Sequence, residues 1–203
     1  MAILVAETGR SALECGLNEA NGILEYARGA VQVARKALKP ERVRLNPVAF
    51  PGKRAVIETL PRGVVGIIAP WNYPLGIFFK SLFPALLTGN AVILKPSEHT
   101  PRSGGWLARV AADTLPPGLV QVAQGGGAVG AEVLEQVDAV VFTGSVATGR
   151  RIAARAGERL IPCSVELGGK DAAIVLSDCD LGRTVAGIAQ WSMHNAGQNC
   201  AGI

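Results

Sequence analysis

Val64-Val-Gly-Ile-Ile-Ala69 runs straight into Pro70-Trp-Asn-Tyr-Pro-Leu75, and the first of these stretches decides the fold. A run that is apolar throughout fits a strand covered on both faces, as in a parallel sheet with helices on either side. Downstream, Pro74 to Leu87 reads as a helix with Ile77, Phe78, Leu82 and Leu86 on its inner face. Ala91-Val-Ile-Leu-Lys95 reads as a second buried strand. Strand, helix and strand over short connections make a right-handed βαβ unit.

The pattern continues toward the C-terminus. Thr100-Pro101 is a helix start, a capping hydroxyl followed by proline at the first helical position, and that helix runs to about Thr114. Strands are predicted at Gly118–Ala123, Asp138–Phe142, Pro162–Leu167 and Ala172–Leu176, and helices at Ala128–Leu134, Val146–Ala156 and Leu181–Met193. The expected fold is α/β, a Rossmann-like, mostly parallel sheet with helices on both faces. Toward the N-terminus, Ala55–Leu60 reads as another strand, joined to Val64–Ala69 around the Pro61-Arg-Gly63 turn. Leu45 to Gly52 is loop. Leu13, Leu17, Ala20, Leu24, Ala27, Val31, Ala34 and Leu38 step by three or four, one apolar stripe of a helix that Pro40 closes.

Composition bounds the function. The chain has 203 residues, 49% apolar and 18% charged, and this fits an ordinary globular protein rather than a disordered one. The net charge of +4 is dispersed, and its densest stretch, Arg150, Arg151, Arg155 and Arg159, reads as the solvated face of one helix. No aromatics interleave with it as they would in a nucleic-acid surface. Cys15, Cys163, Cys179 and Cys200 form no Cys-x-x-Cys pair and read as reduced thiols of a cytoplasmic protein. The irregular spacing of Cys179, His194 and Cys200 argues against a metal site. The start of the chain lacks the basic residues of a signal peptide, and no apolar run is long enough to span a membrane.

Chemistry concentrates where strands end. Cys200 stands in Met193-His-Asn-Ala-Gly-Gln-Asn-Cys200, a loop of small and polar residues, and Glu166 in Val165-Glu-Leu-Gly-Gly-Lys170. A thiol and a carboxylate in such surroundings fit a nucleophile and a general base. Asn72, held between two prolines, reads by itself as a turn residue, and its amide is also of the type that can donate to an oxyanion. Phe142-Thr-Gly-Ser145-Val-Ala-Thr-Gly149 joins strand to helix, so the free N–H groups of the helix start point outward at a phosphate site. Gly125-Gly-Gly127-Ala-Val-Gly130 matches G-x-G-x-x-G in form only, because Ser145 to Arg151 contains no acidic residue where that fingerprint needs one.

Trp71-Asn-Tyr-Pro74, Lys95-Pro-Ser-Glu98, Gly144-Ser-x-x-x-Gly149, Glu166-Leu-Gly-Gly169 and Gly197-Gln-Asn-Cys200, in this order, resemble the signatures of the aldehyde dehydrogenase superfamily. The resemblance spans nearly the whole chain from Ala6-Glu-Thr-Gly-Arg10 onward. It implies oxidation of an aldehyde to an acid with hydride transfer to NAD or NADP, NAD being favoured by the carboxylate of Glu98. It implies catalytic roles for Cys200 as nucleophile, Glu166 as base and Asn72 as oxyanion donor with the Cys200 N–H. It implies cofactor contacts from Ile68, Ala69, Pro70, Trp71, Lys95, Ser97, Glu98, Gly127, Phe142, Thr143, Gly144, Ser145, Leu167 and Gly168. The expected organisation is an N-terminal helical segment over 1–54 and a dinucleotide-binding domain over 55–203 that runs into the start of a catalytic domain. Family members run to well over 400 residues and form homo-oligomers. The partner the resemblance implies is a small aldehyde substrate, and the alternative expectation is a truncated, catalytically incompetent dinucleotide-binding fragment of such an enzyme.

Overall fold

The computed structural model describes residues 1–203 and begins with helices. α1 (Ala2–Thr8) ends at Gly9, whose φ of 69° is left-handed. Ser11 opens α2 (Ala12–Cys15) with a capping box: its Oγ accepts from the Glu14 N–H, and the Glu14 carboxylate accepts from the Ser11 N–H. The chain then winds through a π-helical stretch, Gly16–Asn21, into α3 (Gly22–Ala37). The expected helix is present, but the first half of its expected inner stripe faces solvent. A π turn holds more residues than an α turn and rotates the faces. Cys15, Glu19 and Ile23 therefore point inward, while Leu13, Leu17 and Leu24 are exposed.

β1 (Glu41–Val43) and β2 (Ala55–Ile57) form a small antiparallel ladder, Glu41 opposite Ile57 and Val43 opposite Ala55. This corrects the expected hairpin: the partner of β2 lies upstream, and residues 58 to 60 are not strand. Such short ladders have too few residues to show a period of two, so nothing local marks the pairing.

The remaining elements follow the predicted alternation. They are β3 (Val64–Ile68), α4 (Gly76–Leu87), β4 (Ala91–Lys95), α5 (Pro101–Thr114), β5 (Val120–Val122), α6 (Gly127–Glu135), β6 (Ala139–Gly144), α7 (Val146–Glu158), β7 (Cys163–Leu167) and α8 (Leu181–Met193). The sheet is five-stranded in the order β5-β4-β3-β6-β7, with every pairing parallel. Strand order reverses between β3 and β6, which opens a crevice beyond their carboxyl ends. Ala172–Leu176 is not a strand. No neighbouring strand pairs with it, and Ile174, Val175 and Leu176 lie exposed.

Side chains alternate across this sheet and feed two cores. Val65, Ile67, Val92 and Leu94 pack with Phe78, Leu82 and Leu107 beneath α4 and α5. Ile68, Val140 and Phe142 pack with Val133, Leu134 and Ala156 beneath α6 and α7. One helix is capped differently from expectation. Thr100 makes no capping bond, and its buried hydroxyl has no partner. The start of α5 is instead capped by the Glu7 carboxylate, which accepts from the N–H groups of Arg102 at 2.6 Å and Ser103 at 2.8 Å, and from Ser103 Oγ at 2.6 Å. A carboxylate satisfies these orphan donors and also suits the positive end of the helix.

Candidate active site

The crevice between β3 and β6 has a volume of about 580 Å³. Its walls include the ends of three strands, Ile68 to Trp71, Lys95 with Ser97 and Glu98, and Phe142 to Ser145, closed by Gly127 of α6. Twelve of the fourteen expected cofactor residues therefore meet in one cavity; Leu167 and Gly168 line its neighbour. His99, Gly130, Thr148, Arg151 and Arg155 also face the crevice. The sequence reading did not single out His99 or Thr148, set Gly130 aside with the formal G-x-G-x-x-G match, and placed the two arginines on a solvated helix face.

The phosphate end is shaped by close approach. A Cβ on Gly144 would lie 2.5 Å from the Phe142 ring, and one on Gly149 would lie 2.5 Å from Leu167 Cδ2. Only glycine lets α7 descend this far onto the sheet, which accounts for the Gly-Ser-x-x-x-Gly spacing. Ser145 Oγ accepts from the Thr148 N–H at 3.3 Å as the cap of α7. The Ser145 hydroxyl is thus engaged within the turn. The backbone N–H groups at the start of α7 remain the donors suited to an anion.

Lys95 Nζ lies 3.2 Å from Glu98 Oε2, with the lysine side chain buried and the carboxylate half-exposed. Hydrogen bonding to its own backbone N–H, then to Lys95, holds the Glu98 carboxyl below its ordinary value. Arg155 is bound to Glu135 through Nε and Nη2, both at 2.7 Å, and to Glu158 at 2.8 Å. That pairing raises the Arg155 pKa and lowers that of Glu135. Arg151 has only a 3.4 Å contact with Thr148 Oγ1. It is the guanidinium least committed to a carboxylate on this wall.

Next to the crevice, and sharing Pro70, Trp71 and the Thr143–Ser145 turn with it, is a cleft of about 370 Å³ lined by Asn72, Leu167, Gly168, Gly169, Gln198, Asn199 and Cys200. Asn72 and Cys200 thus share one cavity although 128 positions separate them in sequence. Glu166, on β7 opposite Thr143, is exposed and does not line this cleft; its neighbours Leu167 to Gly169 do. The cysteine loop leaves α8 through a 3-10 turn, His194–Gly197, in which Asn195 and Ala196 adopt left-handed φ values of 52° and 55°. Asn195 is buried and its Nδ2 donates to Asn72 O at 3.2 Å and Gln198 O at 3.1 Å. Asn72 Nδ2 donates to the same Gln198 carbonyl at 2.9 Å. Sequence reasoning missed Asn195; its one local signal is that asparagine tolerates the left-handed region better than most residues.

The aldehyde dehydrogenase family model matches residues 1–203. The chain belongs to that family. It is 41% identical over 198 residues to 4,4′-diapolycopene aldehyde oxidase of Methylomonas sp., covering 97% of this chain and 37% of that protein. It is 38% identical over 193 residues to the NAD(+) benzaldehyde dehydrogenase of Pseudomonas putida, covering 92% and 40%. A Mycolicibacterium smegmatis relative, 39% identical, has a name that specifies NADP(+). A Mycobacterium tuberculosis aldehyde dehydrogenase solved in complex with NAD+ superposes with a TM-score of 0.91 at 35% identity, over 99% of this chain and 41% of that one. This aldehyde dehydrogenase chain therefore spans about two fifths of the length of the relatives it matches. No helix in it is long and apolar enough to cross a membrane.

Proposed function

We propose that the chain is the cofactor-binding and nucleophile-bearing portion of a cytoplasmic aldehyde dehydrogenase that uses NAD(P), with NAD favoured. One observation carries this reading: the cleft holding Asn72 and Cys200 shares Pro70, Trp71 and the Thr143–Ser145 turn with the crevice at the switch point of the sheet. The residues present fit a dinucleotide. The glycines of the Phe142–Gly149 turn admit a close approach, the start of α7 offers free N–H groups, and buried Lys95 with Glu98 supplies a polar pair for ribose hydroxyls. The carboxylate of Glu98 disfavours an additional phosphate there, and this favours NAD. Residues 55–203 form the binding domain in this proposal, and residues 1–54 an N-terminal segment that is helical as far as Ala37 and then contributes β1 to the small ladder.

Cys200, as thiolate, adds through Sγ to the carbonyl carbon of a small aldehyde. Asn72 has one N–H committed to the Gln198 carbonyl. Its other N–H, with the Cys200 backbone N–H, steadies the negative oxygen that forms. A nicotinamide held in the crevice would supply the hydride acceptor; as the oxygen re-forms the carbonyl, the former aldehyde carbon gives up its hydride and is left as a thioester on Cys200. Glu166 then takes a proton from water, whose oxygen attacks the thioester carbon. The C–S bond breaks, giving the carboxylic acid and the free thiol. For this role the Glu166 carboxylate has to reach that water from a position outside the cleft lining.

The test is NADH absorbance after mixing the chain with NAD+ and aldehydes. Glu166→Gln should leave an early burst of NADH near one equivalent and a slow steady state. Loss of burst and steady state in equal proportion would place Glu166 in thiol activation instead. A second reading, a dinucleotide-binding portion without turnover, is favoured by the Ala172–Leu176 segment, which is apolar and exposed and has no strand partner. NAD+ binding with no NADH at any time would select it.

A further inference from the structure

Of the five ion pairs in the chain, only Arg10–Glu19 has both side chains buried, at 4% and 0% exposure. Glu19 lies in the π-helical stretch, and it is this turn's extra residue that swings the carboxylate inward. One carboxylate oxygen meets Arg10. The other accepts from the N–H groups of Leu75 at 2.7 Å and Gly76 at 3.0 Å, capping α4, which has no side-chain cap of its own. The Arg10 guanidinium carbon stands 4.9 Å from the centre of the Tyr73 ring, and Arg10 Nε contacts Thr8 Oγ1 at 3.3 Å. Tyr73, Leu75 and Gly76 are thus gripped by one buried pair. Asn72 precedes them directly.

We propose that Arg10 and Glu19 are positioning residues that fix the Asn72 amide toward Cys200. Its importance for turnover rests on the function proposed above; the positioning itself does not. Stability alone does not account for the pair, since buried ion pairs are commonly no more stabilising than apolar groups of the same shape. Location accounts for it better. Asn72 is tied in front to the cysteine loop, through Nδ2 to Gln198 O and through its own carbonyl to Asn195. Its Oδ1 is buried without a partner, and turning the amide over would set that oxygen against the Gln198 carbonyl. With the front fixed by the loop and the back by the Arg10–Glu19 pair, the amide has one orientation. The second N–H is left for a ligand. An error of about 1 Å in such a group can cost about 100-fold in rate.

The experiment follows the Asn72 side-chain amide by nuclear magnetic resonance in the 203-residue chain, its signals identified by their loss in Asn72→Asp. Glu19→Gln and Arg10→Lys should each speed exchange of these protons with water by about tenfold or more, as expected for local opening of a protected group. Arg10→Lys keeps the charge but loses the planar fork and ring stacking, and so reads the proposal even where Glu19→Gln fails to fold. Glu7→Gln is the control: it weakens the cap of α5 without touching the Asn72 loop, and should leave that amide unchanged. Unchanged exchange in Arg10→Lys, or an equal change in Glu7→Gln, would show that the pair serves stability alone. A wrong functional reading would appear elsewhere, as turnover indifferent to Asn72→Ala.

Discussion

Cys200 is exposed and is the one cysteine that lines the candidate cleft. Cys15 is buried and Cys179 partly so, while Cys163 reaches the surface with its thiol held above the ordinary value by partial burial. Limiting iodoacetamide should therefore modify Cys200 before the other three, as read by mass spectrometry of the digested protein. First labelling at Cys163 would remove the basis for the nucleophile assignment. A second expectation concerns the start of α5. Glu7→Ala should destabilise by about 1–2 kcal/mol, since three donors lose their acceptor, lowering Tm by roughly 3–6 °C. Thr100→Val should leave Tm unchanged or raise it, because the hydroxyl it removes is buried without a partner. The opposite ranking in a thermal scan would restore Thr100 as the cap. That cap was legible only as a Thr-Pro pattern. The real acceptor comes from about 95 positions upstream, and no local pattern reports a partner so distant.

Element by element, the sequence was readable where a strand is at least partly covered on both faces. The apolar runs of β3, β4 and β6 announce themselves, and with them the crossover helices and the site at their ends. It was unreadable where an element depends on something else. The helix before Leu38 carries apolar residues on two faces, and the π turn selects between them. Ala172–Leu176 has strand composition but lacks a strand to join. Cys200 and Asn72 were legible through their motifs, whereas Arg10, Glu19 and Asn195 do their work through contacts that span the chain. Helix termini also set the response to acid. Three carboxyls lie below their ordinary value of 4.5: Glu14 through its hydrogen bonds to Ser11, Glu98 through its own backbone and Lys95, and Glu135 through Arg155. A lowered folded pKa contributes stability above the unfolded value, and that contribution is lost as pH falls through the folded one. Glu135→Gln should thus lower Tm slightly at neutral pH, and the two melting curves should converge below pH 4.5. A gap that persists in acid would mean that Glu135 stabilises by packing rather than by charge.

At the scale of the whole molecule, the stretch from Ile174 to Met193 stands out. Ile174, Leu176, Leu181, Val185, Trp191 and Met193 are all more than half exposed. Apolar area on this scale marks a surface that associates. The chain alone should self-associate with rising concentration, read as growth in light scattering, and Trp191→Glu with Met193→Lys should suppress it. A monomer at all concentrations would mean that these exposed apolar side chains are tolerated in water.

The strand order also bears on how the chain is born. β3 pairs with β4 within a few tens of residues, but its other neighbour, β6, is encoded about 70 residues farther on. A ribosome adding roughly 5–20 residues per second leaves that edge open for several seconds. Through that interval the floor of the future crevice is a bare strand margin, and chaperone capture or mispairing competes with the arrival of the sequence that completes it.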